Sequence, residues 1–218
     1  MCMCHQIASL LNRITMMPST ATLFLLLIAV LVFLQVDGYG SGAPLSTCPH
    51  GNAIHKSKHS NYTEFYSPQP AETNPFVFRS EFDEYSPGKS HRVSISGQNG
   101  ELFRGFFLQA RIINTSTPVG VFSDLPALTK IVRCSGTSDD SVTHTSSDDK
   151  EALSFVWTAP NQCVGSISFI GSVALHHSTF FVNMTSSALE CNAAAILRVN
   201  LYVLAIAYIS TRLIGTVD

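Results

Sequence analysis

The feature that most restricts this chain is the stretch at residues 103–113, F-R-G-F-F-L-Q-A-R-I-I. At the two-residue period of a strand, Phe106, Leu108, Ala110 and Ile112 share one face and are all apolar. Phe103, Gly105, Phe107, Gln109 and Arg111 take the other face. A strand with one fully apolar face needs a second layer to bury it, so the chain is expected to build two packed layers.

Strand signals recur on both sides of it. Residues 75–82 alternate loosely, and Tyr85-Ser86-Pro87-Gly88 reads as a turn. At 92–97, Val93 and Ile95 point one way while Ser94 and Ser96 point the other. Gln98-Asn99-Gly100-Glu101 carries the Asn-Gly pair of a tight hairpin, whose two central residues need positive φ. That hairpin is expected to lead straight into the 103–113 strand. Further strands are expected at 119–123, 129–134, 141–145, 153–158, 164–173 and 179–184. Nine short strands without helical periodicity between them point to an all-β antiparallel sandwich. Residues 39–191 amount to about 150 residues, enough to bury roughly 70% of the unfolded surface.

Both ends depart from this pattern. Residues 23–34 form an unbroken apolar run of twelve, the length of a signal-peptide core and too short to span a membrane. Arg13 precedes it, Val36 and Gly38 offer small positions for cleavage before Tyr39, and Met16 or Met17 are alternative starts. The expected organisation is a signal peptide at 1–38, the sandwich at 39–191 and an apolar tail at 192–218. Small residues open that tail at Asn192-Ala193-Ala194, followed by an apolar stretch interrupted by Arg198, Asn200 and Arg212. It reads as a lipid-anchor signal with Asn192 as the candidate attachment residue, or as a weak membrane-spanning helix. The product is placed outside the cell, secreted or held on the outer face of the plasma membrane.

Cleavage removes Cys2 and Cys4 and leaves Cys48, Cys134, Cys163 and Cys191. An even count in a secreted chain reads as two disulfides, with three pairings open. No C-x-x-C motif suggests zinc. Sequons at Asn61, Asn114 and Asn183 fit passage through the secretory route.

The chemistry is sparse. A net charge of −2 gives no footprint for nucleic acid. There is no nucleophile motif and no phosphate loop, so no catalytic residue, metal or cofactor is expected. His50, His55, His59 and the pair His176-His177 read as solvated loop histidines, the alternative being a weak surface metal site. Asp139-Asp140 and Asp148-Asp149 read as solvated charges rather than a calcium site, and Trp157 as core rather than a sugar platform. Phe103 and Phe107 are either covered by the leading segment, the favoured reading, or exposed for a partner. Arg104 and Arg111 are candidates for binding acidic glycans or envelope phosphates, the competing role being strand charges paired with Asp or Glu.

Several motifs occur in the order of a known family. They are Gly38-Tyr39-Gly40-Ser41-Gly42-Ala43-Pro44 before Cys48, the Tyr85-Ser86-Pro87-Gly88 turn, and Phe103 through Arg111. Pro118-Val119-Gly120-Val121-Phe122, Val142-Thr143-His144, Trp157-Thr158-Ala159-Pro160 and Phe180-Phe181-Val182 complete the set. In these the chain resembles the Reeler (reelin-type) domain across 39–191. The resemblance implies an immunoglobulin-like sandwich with disulfides Cys48–Cys134 and Cys163–Cys191. The family includes small secreted insect defence proteins, modules of reelin and spondins, and the N-terminus of ferric-chelate reductase-like proteins. The expected function is therefore non-enzymatic recognition in innate defence, with microbial surface polymers or extracellular matrix glycans as partners. A matrix adhesion module is the alternative, and an accessory to extracellular redox or metal chemistry a further one.

Overall fold

The computed structural model describes residues 39–57 and 59–192. The expected signal peptide, and the tail beyond Asn192, lie outside the described residues.

Eleven strands are present among the described residues: β1 (Phe76–Ser80), β2 (Glu84–Tyr85), β3 (Ser90–Gly97), β4 (Gly105–Ile112), β5 (Val121–Ser123), β6 (Thr129–Val132), β7 (Ser141–His144), β8 (Ala152–Thr158), β9 (Ile167–His176), β10 (Thr179–Thr185) and β11 (Glu190–Cys191). Nine of them form two antiparallel sheets, ordered β1-β3-β8-β5 and β10-β9-β4-β7-β6. These are the nine strands expected from periodicity. The two-residue β2 and β11, too short to show a period, pair in parallel. The fold is all-β, an antiparallel sandwich.

The core lies between the sheets. Val93, Ile95, Leu153, Phe155 and Trp157 project from the four-stranded sheet, and Phe106, Leu108, Ala110, Phe169 and Val173 from the five-stranded one. Trp157 is fully buried, its indole N–H donates to the Val119 carbonyl at 3.0 Å, and its ring packs edge-on to Phe169. Disulfides join Cys48 to Cys134 and Cys163 to Cys191. The fully buried Tyr85 sits beside the second, its hydroxyl donating to Gly165 O at 2.7 Å and accepting from Val164 N at 3.0 Å.

One local expectation needs correcting. Asn99 and Gly100 do adopt positive φ, 54° and 78°, and Glu101 N donates to Gln98 O at 3.0 Å. The turn nevertheless closes no hairpin. β3 pairs with β1 and β8, while β4 pairs with β7 and β9. The chain crosses here from one sheet to the other, which lets the apolar faces of β3 and β4 meet across the core.

Candidate functional site

β4 does not present a polar face to solvent. Phe103 and Phe107 are fully buried, and Arg111 retains only 7% exposure. These three are thereby withdrawn as ligand contacts. Phe103 points into the core beside Phe76 and Phe106. Phe107 and Arg111 lie on the opposite side of the sheet, where the leading segment covers them.

That segment crosses the strands of the five-stranded sheet as a strap. Ala43 N donates to Thr143 Oγ1 on β7 at 2.9 Å. Arg111 on β4 donates to the carbonyls of Cys48 and Pro49 at 2.5 and 3.1 Å, and to Gln109 Oε1 at 2.6 Å. Ala53 N donates to Ser172 Oγ on β9 at 3.1 Å, and Asn52 and Asn183 on β10 exchange two hydrogen bonds. The Cys48–Cys134 disulfide stitches the strap to the chain just after β6. Removal from water pulls the Arg111 guanidinium below its ordinary value.

The strap ends at a histidine pair rather than in solvated loops. His55 is only 8% exposed. Its Nδ1 lies 2.6 Å from His177 O, the two rings stack 5.0 Å apart, and Phe180 packs on its other side. Burial lowers the His55 pKa. The solvated reading fails for this histidine.

Arg104 meets the fate weighed against ligand binding: its Nε donates to Asp149 at 2.7 Å in an exposed ion pair. Asp139 pairs with Arg133 at 2.8 Å, and the buried Asp140 accepts from the amides of Cys134 and Ser135. Asp148 and Asp149 are both exposed, as expected of solvated charges, whereas Asp140 is buried; among the described residues no group of three His, Cys, Asp or Glu is placed to hold a metal ion. Asn61, Asn114 and Asn183 are exposed, each with positive φ. Asn192 closes the domain, its backbone N–H donating to Tyr85 O and its side chain to Glu84, at 2.8 and 2.7 Å.

The outer face left open belongs to the other sheet. β1, β3, β5 and β8 alternate buried with exposed or half-buried positions. The outward positions include the small hydroxyls Ser90, Ser94, Ser96, Ser123, Ser154 and Thr158, interspersed with Val77, Val121, Ala152 and Val156. Ser90 bonds Thr158 at 2.9 Å across the β3–β8 pair. Two exposed arginines stand among them. Arg79 faces Ser94 in the register, and Arg92 lies diagonal to it, a spacing of roughly 7–8 Å. Arg92 donates to Ser154 Oγ at 3.3 Å, and neither arginine forms an ion pair with a described carboxylate. Sequence reasoning passed over both. The available signal was an arginine at an outward strand position surrounded by serines.

A family model described as Reeler domain matches residues 46–195. "Putative defense protein 3" of Antheraea mylitta is 32% identical over 167 residues, covering 76% of this chain and 94% of that protein. "Putative defense protein Hdd11" of Hyphantria cunea is 29% identical over 175 residues, 74% of this chain and 97% of that one. "Putative ferric-chelate reductase 1" of Danio rerio is 32% identical over 171 residues, 78% of this chain, but the match spans only 28% of that protein. Among solved structures, the human F-spondin reeler domain superimposes with a TM-score of 0.50 at 22% identity, covering 58% of this chain and 95% of that one.

Proposed function

The chain belongs to the Reeler domain family, and from that premise we propose that it is an extracellular, non-enzymatic binding module of innate defence that engages acidic microbial surface polymers. The observation that carries this reading is the open face of the four-stranded sheet, where Arg79 and Arg92 stand without a described carboxylate partner among hydroxyl and valine side chains. A guanidinium offers a planar fork of donors that fits a phosphate or carboxylate two bonds at a time. The surrounding serines and threonine donate to and accept from sugar hydroxyls, and their small side chains let an extended polymer lie flat. Because the face is solvated, its charge is screened by salt, and attraction weakens as ionic strength rises.

Two further facts support the setting. Two disulfides persist in an oxidising compartment. The relatives matched over nearly their whole length carry the name defense protein. Glycans at Asn61, Asn114 and Asn183 are part of the proposal. None of those residues lies on a strand of the open sheet, so glycosylation leaves that face clear.

The test is binding of the purified chain to lipoteichoic acid and to lipopolysaccharide, with the Arg79→Ala, Arg92→Ala double variant beside it. Binding that weakens about tenfold in the variant, with the fold intact by circular dichroism, is the expected result. Equal binding by the two proteins removes the open face from the mechanism.

A further inference from the structure

A groove of about 480 Å³ opens at the corner where β1 ends and β3 begins, lined by Phe82, Asp83, Glu84, Ser86, His91 and Asn192. His91 is 8% exposed, and both of its ring nitrogens are buried without a hydrogen-bond partner. Together with the Ser80 hydroxyl, they are the three buried side-chain polar atoms left unpaired among the described residues. Ser80 pairs with Val93, two residues beyond His91, so all three fall at this one corner. A buried polar atom without a partner is costly, and native folds rarely leave several together.

What surrounds the imidazole has one chemical character. Asp83 and Glu84 are exposed walls of the groove. Glu84 pairs with Glu190 in the parallel β2–β11 register; its carboxylate accepts from the Asn192 amide at 2.7 Å, and that of Glu190 from Ser166 at 2.6 Å. Glu81 is close enough to act on His91, yet burial outweighs it and keeps the ring toward its neutral form. Phe82, 56% exposed, packs edge-on at 6.2 Å from the imidazole. Among the described residues no lysine or arginine lines the groove. A neutral imidazole that accepts, carboxylates that carry charge and an exposed aromatic ring together suit a cation bearing N–H donors.

We propose that this groove binds a guanidinium or primary ammonium group. Asp83 and Glu84 take its charge, the Phe82 ring lies against the cation, and His91 accepts one of its N–H groups. Rotation of the exposed Phe82 side chain opens the way to the imidazole. The site is independent of the open face and of opposite charge preference.

The probe is agmatine, titrated by calorimetry into the full purified chain at physiological salt, with the His91 ring nitrogens followed by 15N NMR. A capped arginine tripeptide in a parallel arm separates a free amine source from a peptide one, and saturable binding of either supports the assignment. The expected result is saturable binding that shifts the His91 nitrogens and weakens about tenfold in Asp83→Asn and in Phe82→Ala. Both are exposed positions whose variants keep the fold, and the distant Asp148→Asn control leaves affinity unchanged. Absence of saturable binding by both probes, or affinities equal in wild type, Asp83→Asn and Phe82→Ala, overturns the proposal.

Discussion

Arg111 carries its charge beneath the strap without a described carboxylate partner, held by Gln109 and two backbone carbonyls. Replacing it by methionine keeps the bulk and strands those carbonyls, at an expected cost of roughly 2–4 kcal/mol in urea unfolding. Arg104→Ala removes an exposed ion pair instead and is expected to change stability by less than about 1 kcal/mol. The histidines set a pH dependence. Burial lowers the pKa of both His55 and His91. At His55 the hydrogen bond to the His177 backbone partly offsets burial while His177 and His144 add repulsion, and at His91 Glu81 partly offsets burial. The unfolded chain therefore takes up protons near pH 6.5 where the folded one does not. Stability is full above that pH and declines as pH falls from about 6.5 toward the depressed folded values. Calorimetric melting midpoints should drop between pH 7.5 and 5, with a shallower slope in His55→Phe.

At the scale of elements, β4 and β9 approach too closely at one point to admit a side chain. A Cβ on Gly171 would lie 1.8 Å from Phe107 O, so Gly171→Ala is expected to destabilise by roughly 1–3 kcal/mol or more. The disulfides close separations of 86 and 28 residues, for which loop entropy gives upper-end stabilisations of about 4.6 and about 3.6 kcal/mol. Losing Cys48–Cys134 should also quicken hydrogen exchange along residues 43–55, because it removes the covalent tie at the middle of the strap. The nine sheet strands were legible because alternating side chains leave a period in the sequence. Cover of Phe107 by the leading segment was expected and is seen, but the course of the strap was not legible, since it has no regular structure and its hydrogen bonds join residues far apart in the chain. Gln98-Asn99-Gly100-Glu101 shows the boundary between the two. Its chemistry disclosed the positive φ values, whereas which strands flank it in hydrogen bonding is decided by the core. The same limit explains the candidate site: Arg111 looked exposed because alternation cannot reveal a cover, while Arg79 and Arg92 were outward on strands correctly placed.

At the scale of the molecule, the sandwich has two unlike outer faces, one strapped and one open. Asn183 lies on β10 and Asn61 and Asn114 on no strand of the open sheet, so enzymatic removal of any N-glycan carried there is expected to leave polymer binding unchanged. The open side carries arginines and small hydroxyls among a few valines, over a core that includes Trp157 and Phe155. A chain that recognises long polymers outside the cell needs little more than such a surface and a scaffold that survives there. Hydrogen exchange of the purified chain, with and without saturating lipoteichoic acid, tests this most directly. Protection concentrated on β1, β3, β8 and β5 is the predicted footprint. Protection confined to the strap and β10, or none at saturation, would contradict the account.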